Sequence, residues 1–563
     1  MYATAPIQEI PLSSPFFRRK VEAFLQANGL RMEPLDAYYA ILDKEDELVA
    51  GAGMAGDVLK GLAVRAQARS EGLLIPLVSH ILSLRQGRPL KVFTKPEYRS
   101  VFESLGFRLL AQAPLAILLE NGRGLEEFCA YLRSVASEGR TGAVVMNANP
   151  FTLGHQYLLS QALEQVDHLY VIPVAEEGQA FPYAERRAMI SAAVTPGQDR
   201  VSVLEGSAYA ISAATFPTYF LKDLSQAAET QMRLDLDLFA RWIAPALGVS
   251  VRFVGSEPSD ALTARYNALM RELLPAHGIA VVEVPRTEVS ATAVRAALDR
   301  GYFREASALT PACSHPYLLG YLAHRALLRE LDTPLKPGLV CPDSSGAHRD
   351  MDYALMRRAL TVLRPFWTRM ALAGSPEALQ RLGIEAEEAM LSATGGVNTH
   401  RGAIFALGLL LNAFYAGAQL IDTQSLLSAR VHLQVHRIFS KSLGESELRS
   451  RRGARRMAEE GYASLFEDWL PFYRSWKSAE LSPEQATLLR IMSTLEDTCV
   501  IKRVGPERAN MVRAEAGGIL EQAPGKMKGD LHDLCERYAA EGISPGGAAD
   551  MLALTIFIDS ILK

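Results

Sequence analysis

Residues 147–158 read NANPFTLGHQYL, between an apolar run, GAVVM (142–146), and a helix-like one, LLSQALEQV (158–166). This order sets Thr152-Leu-Gly-His155 where a strand hands over to a helix. A strand, a tight turn and a helix N-terminus bring unpaired backbone N–H groups and a positive dipole end to one point, which makes a phosphate site. Gly154 lets the backbone approach closely. A histidine on the first helical turn can then hydrogen-bond a phosphoryl oxygen whose negative charge grows during attack at an α-phosphate. In this reading His155 stabilises charge and forms no covalent bond. Taken alone, a histidine after a glycine at a helix start is more often structural.

Working outward, strand candidates recur at GAVVMN (142–147), HLYVIPV (168–174), VSVLEG (201–206), VRFVGSE (251–257) and AVVEVP (280–285), with helical patterns between them. Such alternation predicts a doubly wound parallel sheet, whose ligands bind at the carboxyl ends of the strands. Upstream, short β-like runs (YYAILDK, ELVAGAGMAG, LKGLAV, LKVFTK, AILLEN) alternate with helical ones, which predicts a small α/β domain over 1–125. A helical connector, LEEFCAYLRSVASEG, leads into the parallel domain, expected over 126–310. After ASALTPACSHP (306–316) the β signals largely stop, and 311–563 reads as an all-α domain. Three domains suit a chain of 563 residues at roughly 100–200 residues per domain.

The composition is that of an ordinary soluble protein, 49% hydrophobic and 22% charged, and a formal charge of −4 argues against a nucleic-acid partner. Small molecules or an acyl-carrier protein fit better. Five scattered cysteines (Cys129, Cys313, Cys341, Cys499, Cys535) form no CxxC pair, so five free thiols and no zinc are expected. The first residues, MYATAPIQEIPLSS, lack the basic and apolar regions of a secretory signal, so a cytoplasmic protein is expected. One stretch, Gly402 to Ile421, imitates a membrane span, but Asn412 and Gln419 interrupt it and it reads as a buried helix. The basic cluster RSRRGARR (449–456) reads as a solvated face.

After the last strand, VVEVPRTEVSATAVRAAL sets Ser290 and Thr292 at another helix N-terminus, with Arg295 one turn on. Hydroxyls, amides and a guanidinium again suit phosphate. The pairing of TLGH (152–155) with VSATAVR (289–295) resembles the nucleotidylyltransferase superfamily, a Rossmann-like fold. NANPFTLGHQYLL, FPYAERR, ATFPTYFLKD, VGSEP and EVPR narrow this to a resemblance to the citrate lyase ligase family over residues 1 to about 310. The resemblance implies that acetate attacks the α-phosphate of ATP, and that the thiol of the citrate lyase acyl-carrier protein's prosthetic group then takes the acetyl. It also implies that Asn149, Thr152 and His155 line the phosphates beside Gly154, that Lys222 meets the α-phosphate or pyrophosphate, and that Arg186 and Arg295 hold the departing pyrophosphate, with Ser290 and Thr292 also on phosphate; surface ion pairing is the alternative for Lys222 and Arg186. The leading block, with FTKPEYRSVFESLGFR, resembles an N-acetyltransferase fold. Its coenzyme A turn would be Arg69-Ser-Glu-Gly72-Leu-Leu74, with Leu74 at a position that is small in that fold, so a docking role for the carrier's pantetheine arm is preferred over an active acetyltransferase.

The helical block carries four polar, glycine-containing islands, at 333–352, 392–405, 493–505 and 544–555. Asp350, Asp352 and Glu496 offer oxygen ligands for Mg²⁺, and Lys336, His348, His400 and Arg401 suit a triphosphate. With GARRMAEEGYASLF, these islands resemble the triphosphoribosyl-dephospho-coenzyme A synthases over 315–563. Met457 stands where an acidic residue is expected, and DTCVIKRVG replaces a DTNxxxRGG pattern. The implied reaction joins the ribose 2′-hydroxyl of 3′-dephospho-coenzyme A to C1 of the ribose of ATP, with adenine leaving. Asp350 and Asp352 would hold metal and serve catalysis, Asp497 would act as base or electrostatic stabiliser, and Asn398 and Arg455 would bind nucleotide. Competing readings are malonate decarboxylase cofactor maturation, an adenylyltransferase with a helical partner-binding domain, and a non-enzymatic scaffold.

Overall fold

The computed structural model describes residues 6–194, 199–206, 209, 224–256, 260–285, 287–417, 430–435, 437, 453–523 and 525–563. The chain divides into two compact units, Met1–Val289 and Ser290–Lys563.

The first unit holds two sheets. One is mixed and built from β1 (Ile7–Glu9), β2 (Ala37–Leu42), β3 (Leu48–Ala55), β4 (Val58–Val64), β5 (Leu90–Thr94), β6 (Arg108–Gln112) and β7 (Ile117–Asn121), in the order β1-β2-β3-β4-β5-β7-β6. Only β4 and β5 pair in parallel. β1 and β6 are additions to the sequence reading; at three and five residues they are too short for a period to show. The glycines of LVAGAGMA in β3 have a packing cause: a Cβ on Gly51 would fall 2.5 Å from the Tyr38 ring, which is itself fully buried.

The other sheet is parallel throughout: β8 (Thr141–Met146), β9 (His168–Pro173), β10 (Val201–Val203), β11 (Val249–Gly255) and β12 (Ala280–Val284), in the order β10-β9-β8-β11-β12. All five strands coincide with those read from the sequence. The connections run outward in both directions from β8, so the chain order reverses between β8 and β11, the position at whose carboxyl ends open α/β sheets bind ligands. Every residue of β9 is buried, as strands covered on both faces are. Ala143, Tyr170, Ile172 and Phe239 share a core with Phe93, Leu110 and Leu118 of the mixed sheet.

Helices alone make up the described part of the second unit, apart from an isolated bridge at Cys341 and Ser344. Helix Gly546–Leu562 is buried almost all round and packs on helices His315–Asp332, Arg401–Gly417 and Pro483–Thr494. Among the described residues, Arg401–Gly417 is the helix that had looked like a membrane span, and Gln419 and Ile421 lie outside them. Its Ala403, Leu407, Leu410 and Leu411 are buried in the helical core. Asn412 is satisfied there, donating to the Met370 and Ala373 carbonyls at 3.1 and 2.9 Å. No described helix is long and apolar enough to cross a membrane.

Candidate active sites

In the first unit, NANPFTLGHQYL runs from the carboxyl end of β8 into helix Leu153–Leu163, as the sequence predicts. Thr152 is the N-cap. Its Oγ1 accepts the His155 backbone N–H at 3.3 Å, and its own N–H donates to His155 Nδ1 at 3.0 Å. This reciprocal box ties down two orphan donors with one threonine and one histidine. It also decides the tautomer: Nδ1 is the acceptor, so the neutral imidazole carries its proton on Nε2. Phe151 stacks on the ring at 5.5 Å between centroids. Gly154 fits a tight place: a Cβ there would sit 3.0 Å from the Val289 carbonyl oxygen and 3.1 Å from Thr287 Oγ1, so those neighbours would have to give way. The segment after β12 thus lies directly against the helix start. Thr287 Oγ1 is buried without a hydrogen-bond partner, a polar atom turned toward this turn that the motif reading passed over.

Asn149 and Arg186 hold the loop. Asn149 is 6% exposed; its Oδ1 accepts Phe181 N–H at 3.0 Å and its Nδ2 donates to Gln179 at 2.9 Å. Arg186 is fully buried and donates to the Asn147 carbonyl and side chain, both at 2.8 Å, to the Val174 carbonyl at 2.9 Å, to Phe181 O at 3.0 Å and to Glu176 O. Burial holds its pKa below the usual arginine range. A guanidinium spent on that many protein oxygens joins the ends of β8 and β9 to the FPYAERR helix start and shapes the site from behind. Lys222 and the ATFPTYFLKD segment lie outside the described residues.

Ser290, Thr292 and Arg295 belong to the second unit by compactness. Ser290 caps helix Ala291–Asp299 by accepting Ala293 N–H at 3.0 Å, and Arg295 donates to Thr292 Oγ1 at 3.0 Å.

The second unit holds a solvent-open cavity of about 550 Å³. Its lining brings together Arg401, Arg455, Glu496 and Asp497, which the sequence singled out, and adds Glu387, Lys502, Cys499 and Asp550. Apolar side chains such as Ile384, Phe405 and Leu409 line it as well. Basic groups together with apolar ones suit a nucleotide, whose phosphates meet the first and whose base meets the second.

Asp497 stands at two helix N-termini at once. It caps helix Thr498–Leu520, accepting Cys499 N–H at 2.7 Å, and accepts Ala548 N–H at 3.0 Å from the first turn of Gly546–Leu562. Burial pushes its pKa up, and the backbone donors pull against that. Asp550 is raised much further, first by burial and then by the charges of Glu330 and Asp497. Desolvation by the protein packed around its sulfur, and then the Asp497 and Asp550 carboxylates, push the Cys499 thiol up to about 11, although the residue as a whole is exposed. Gly402 makes the room: a Cβ there would fall 1.9 Å from Asp550 Oδ2. Gly402→Ala must therefore displace Asp550, and we expect denaturant unfolding of the full chain to show a loss of about 1–3 kcal/mol, the usual cost of overpacking.

Other expected residues do not reach the cavity lining. Asp352 is committed as the N-cap of helix Tyr353–Ala371, accepting Leu355 N–H at 2.7 Å, and Asp350 is exposed, 3.8 Å from His348. The metal trio of Asp350, Asp352 and Glu496 is therefore not assembled, and among the described residues no three His, Cys, Asp or Glu side chains converge as a metal site. His348 shares Nε2 with Ser544 Oγ at 2.8 Å, and burial together with Arg503 lowers its pKa. Lys336 is buried against Glu330 in an ion pair. Asn398 is used locally, accepting Arg401 N–H at 3.1 Å at the helix start, while the Arg401 side chain pairs with Glu387. The five cysteines are free, as expected.

His400 is 4% exposed, and burial with Lys336 nearby drops its pKa to about 3. The folded chain keeps this ring neutral where the unfolded chain, near 6.5, has begun to protonate. Stability from this group is complete above pH 6.5 and is lost as pH falls toward 3, by about 1.4 kcal/mol per unit. Denaturant unfolding at pH 7 and 5.5 should show a steeper loss in the native chain than in His400→Gln.

The Citrate lyase ligase C-terminal domain model matches residues 141–318, and the ATP:dephospho-CoA triphosphoribosyl transferase model matches 316–563. A [Citrate [pro-3S]-lyase] ligase of Klebsiella pneumoniae is 40% identical over 318 residues, 54% of this chain and 92% of the relative. One from Haemophilus influenzae is 37% identical over 51% of this chain and 88% of its own length. A probable 2-(5''-triphosphoribosyl)-3'-dephosphocoenzyme-A synthase of Pseudomonas fluorescens is 35% identical over 43% of this chain and 91% of its own. Among solved structures, Thermotoga maritima TmcAL bound with alpha-thio ATP matches 55% of this chain and 98% of its own at 13% identity and a TM-score of 0.23, too low a likeness to argue from. Two successive stretches of sequence, each matching nearly the full length of a different enzyme, leave one conclusion: this chain belongs both to the citrate lyase ligases and, from residue 316 onward, to the triphosphoribosyl-dephospho-coenzyme A synthases.

Proposed function

We propose that this chain is a bifunctional enzyme of citrate lyase maturation. One half acetylates the prosthetic group of the citrate lyase acyl-carrier protein at the expense of ATP. The other makes 2'-(5''-triphosphoribosyl)-3'-dephospho-coenzyme A from ATP and 3'-dephospho-coenzyme A. The observation that carries this reading is the joining, in one chain, of two families whose chemistry falls on the same prosthetic group.

In the ligase half an acetate oxygen bonds to the α-phosphorus and the bond to the bridging oxygen breaks, releasing pyrophosphate and leaving acetyl-adenylate. The carrier thiol then bonds to the acetyl carbon and AMP departs. His155 Nε2–H donates to the α-phosphoryl oxygen as its charge grows, helped by the amides of the helix start. Thr152 and Asn149 orient that turn and Arg186 braces it, while Lys222, Ser290, Thr292 and Arg295 are the further phosphate-binding residues that the family resemblance implies. This half is a Rossmann-like domain over 126–310, preceded by an acetyltransferase-like domain over 1–125 that docks the carrier's pantetheine arm. The synthase domain spans 311–563.

In that domain the 2'-hydroxyl oxygen bonds to C1 of the ATP ribose as the C1–N9 bond breaks and adenine leaves with the electron pair and a proton. Asp497 takes the hydroxyl proton and stabilises the positive ribose carbon, and Arg401, Arg455 and Lys502 face the triphosphate. Glu496 is the carboxylate that would meet an Mg²⁺ carried on the triphosphate, an ion that takes one or two protein carboxylates and would neutralise phosphate charge. Five free thiols suit a cytoplasmic location. Incubating the purified chain with ATP and 3'-dephospho-coenzyme A, and separately with ATP, acetate and the deacetylated carrier, and weighing the products tests both halves. Absence of a triphosphoribosyl adduct or of acetyl-carrier removes the corresponding half of the proposal.

A further inference from the structure

The start of helix Gly546–Leu562 brings two carboxyl groups to the cavity of the second unit. Asp497 lies against the helix from outside: a Cβ on Gly547 would fall 3.0 Å from Asp497 Oδ1. Asp550 belongs to the helix itself, three residues after Gly547, so it stands on the same face one turn on, with roughly 5–6 Å between the two Cβ positions. Both line the cavity together with Arg401, Arg455 and Lys502. The Cys499 thiol feels both charges, which sets the two carboxyl groups around one point.

Their surroundings differ. Asp497 accepts N–H groups from Cys499 and Ala548 at 2.7 and 3.0 Å, and the amides of Val500 and Gly547 also favour its charged form. Among the described residues Asp550 accepts one backbone N–H, from Ala403, and the charged side chains acting on it are the carboxylates of Glu330 and Asp497. Lys336 does not offset them, because it is held in its ion pair with Glu330. The Tyr462 phenol, buried without a hydrogen-bond partner, also feels the Asp550 charge. Four amides favour an anion, whereas one amide and two like charges favour a carboxyl that keeps its proton. Two carboxyl groups separated in this way at one site suit opposite tasks, one taking a proton and the other giving one.

Adenine is a poor leaving group unless a ring nitrogen takes up a proton, since the base otherwise departs as an anion. We propose that Asp550 is the general acid of the synthase half: its carboxyl proton passes to a ring nitrogen of adenine as the C1–N9 bond breaks, while Asp497 takes the proton of the attacking 2'-hydroxyl. The electron pair of the broken bond leaves with the base, which departs as neutral adenine. Asp497 is then protonated and Asp550 ionised, and a proton returns from the first to the second through the solvent that reaches the cavity. This role rests on the synthase reading above and adds to it the donor of the proton with which adenine leaves.

The test compares two donors on the full chain and its Asp550→Asn variant, each with 3'-dephospho-coenzyme A: ATP, and ATP methylated at N7, whose purine already carries the positive charge and leaves without a proton. With ATP, Asp550→Asn should release adenine and form the adduct about 10²- to 10⁴-fold more slowly than the native chain, the range for a general acid. With the methylated donor the two should agree within about 10-fold, because the proton is no longer needed. The variant should melt near the native midpoint, since a neutral amide replaces a neutral carboxyl and still accepts the Ala403 N–H. Should it fail to fold, the native chain alone decides: its rate with ATP should fall as pH rises through an ionisation that the rate with methylated ATP does not show. Equal loss with both donors in a folded variant overturns the acid role, as do matching pH profiles. An unchanged rate with ATP in Asp550→Asn overturns it too and leaves the synthase reading standing. A native chain that frees adenine from ATP without forming the adduct, an activity lost in Asp550→Asn, keeps the acid and removes the synthase reading. Release of no base from either donor removes both.

Discussion

His155→Ala should lower acetate-dependent pyrophosphate release by about 10²- to 10³-fold, the usual effect of deleting one preorganised donor to a developing oxyanion. The argument is the hydrogen-bond direction at the helix start. Thr152 N–H donates to Nδ1 at 3.0 Å, so the neutral ring is held with its proton on Nε2 and keeps that orientation when the phosphoryl charge grows. Stacking on Phe151 fixes the ring plane. Thr152→Ser keeps the cap and should retain most activity, whereas Thr152→Val removes the oxygen that His155 N–H and ring share and should behave like a milder His155→Ala. Triphosphoribosyl transfer, assayed in the same preparations, should be untouched. Equal pyrophosphate release from His155→Ala and the native chain would remove the charge-stabilising role from this residue.

The second large effect is expected at Asp497. Asp497→Asn should reduce formation of the triphosphoribosyl adduct by about 10²- to 10⁴-fold, the range for an essential acid or base, with acetate activation intact. Two helix starts point N–H groups at this carboxylate, so it is both a cap and a charge. Asp497→Ser separates the roles: serine is a good N-cap and carries no charge. If the serine variant melts near the native midpoint and is as inactive as the asparagine one, the charge is what the reaction needs. Recovery of activity in the serine variant would reduce Asp497 to a capping role.

How far the sequence could be read depended on the range of the interactions involved. The Thr152–His155 box spans three residues, so residue types and spacing were enough to place it at a strand-to-helix handover. The strands of the parallel sheet were legible for a similar reason: near-continuous apolar runs bounded by turns have one economical fold. Arg186 shows the limit. FPYAERR placed it near the site, but nothing local says whether a guanidinium faces a ligand or is spent on the carbonyls of Asn147, Val174, Glu176 and Phe181. Asp350 and Asp352 looked like metal ligands by type and proximity, yet helix capping took one and solvent the other. Asp550 sat unremarked within a quoted island, because its partner in space, Gly402, lies nearly 150 residues away.

Local chemistry, then, was determined by sequence alone: which segments become strand or helix, where helices begin, and which two enzyme families the motifs resemble. Packing decided the rest. Whether Arg186 meets solvent or protein, and whether Asp497 and Asp550 share one cavity, depends on segments brought together from far along the chain. The physical reason is that burial and electrostatic neighbourhood belong to the assembled core: the same guanidinium is a surface ion pair, a brace or a ligand clamp according to which distant atoms close around it.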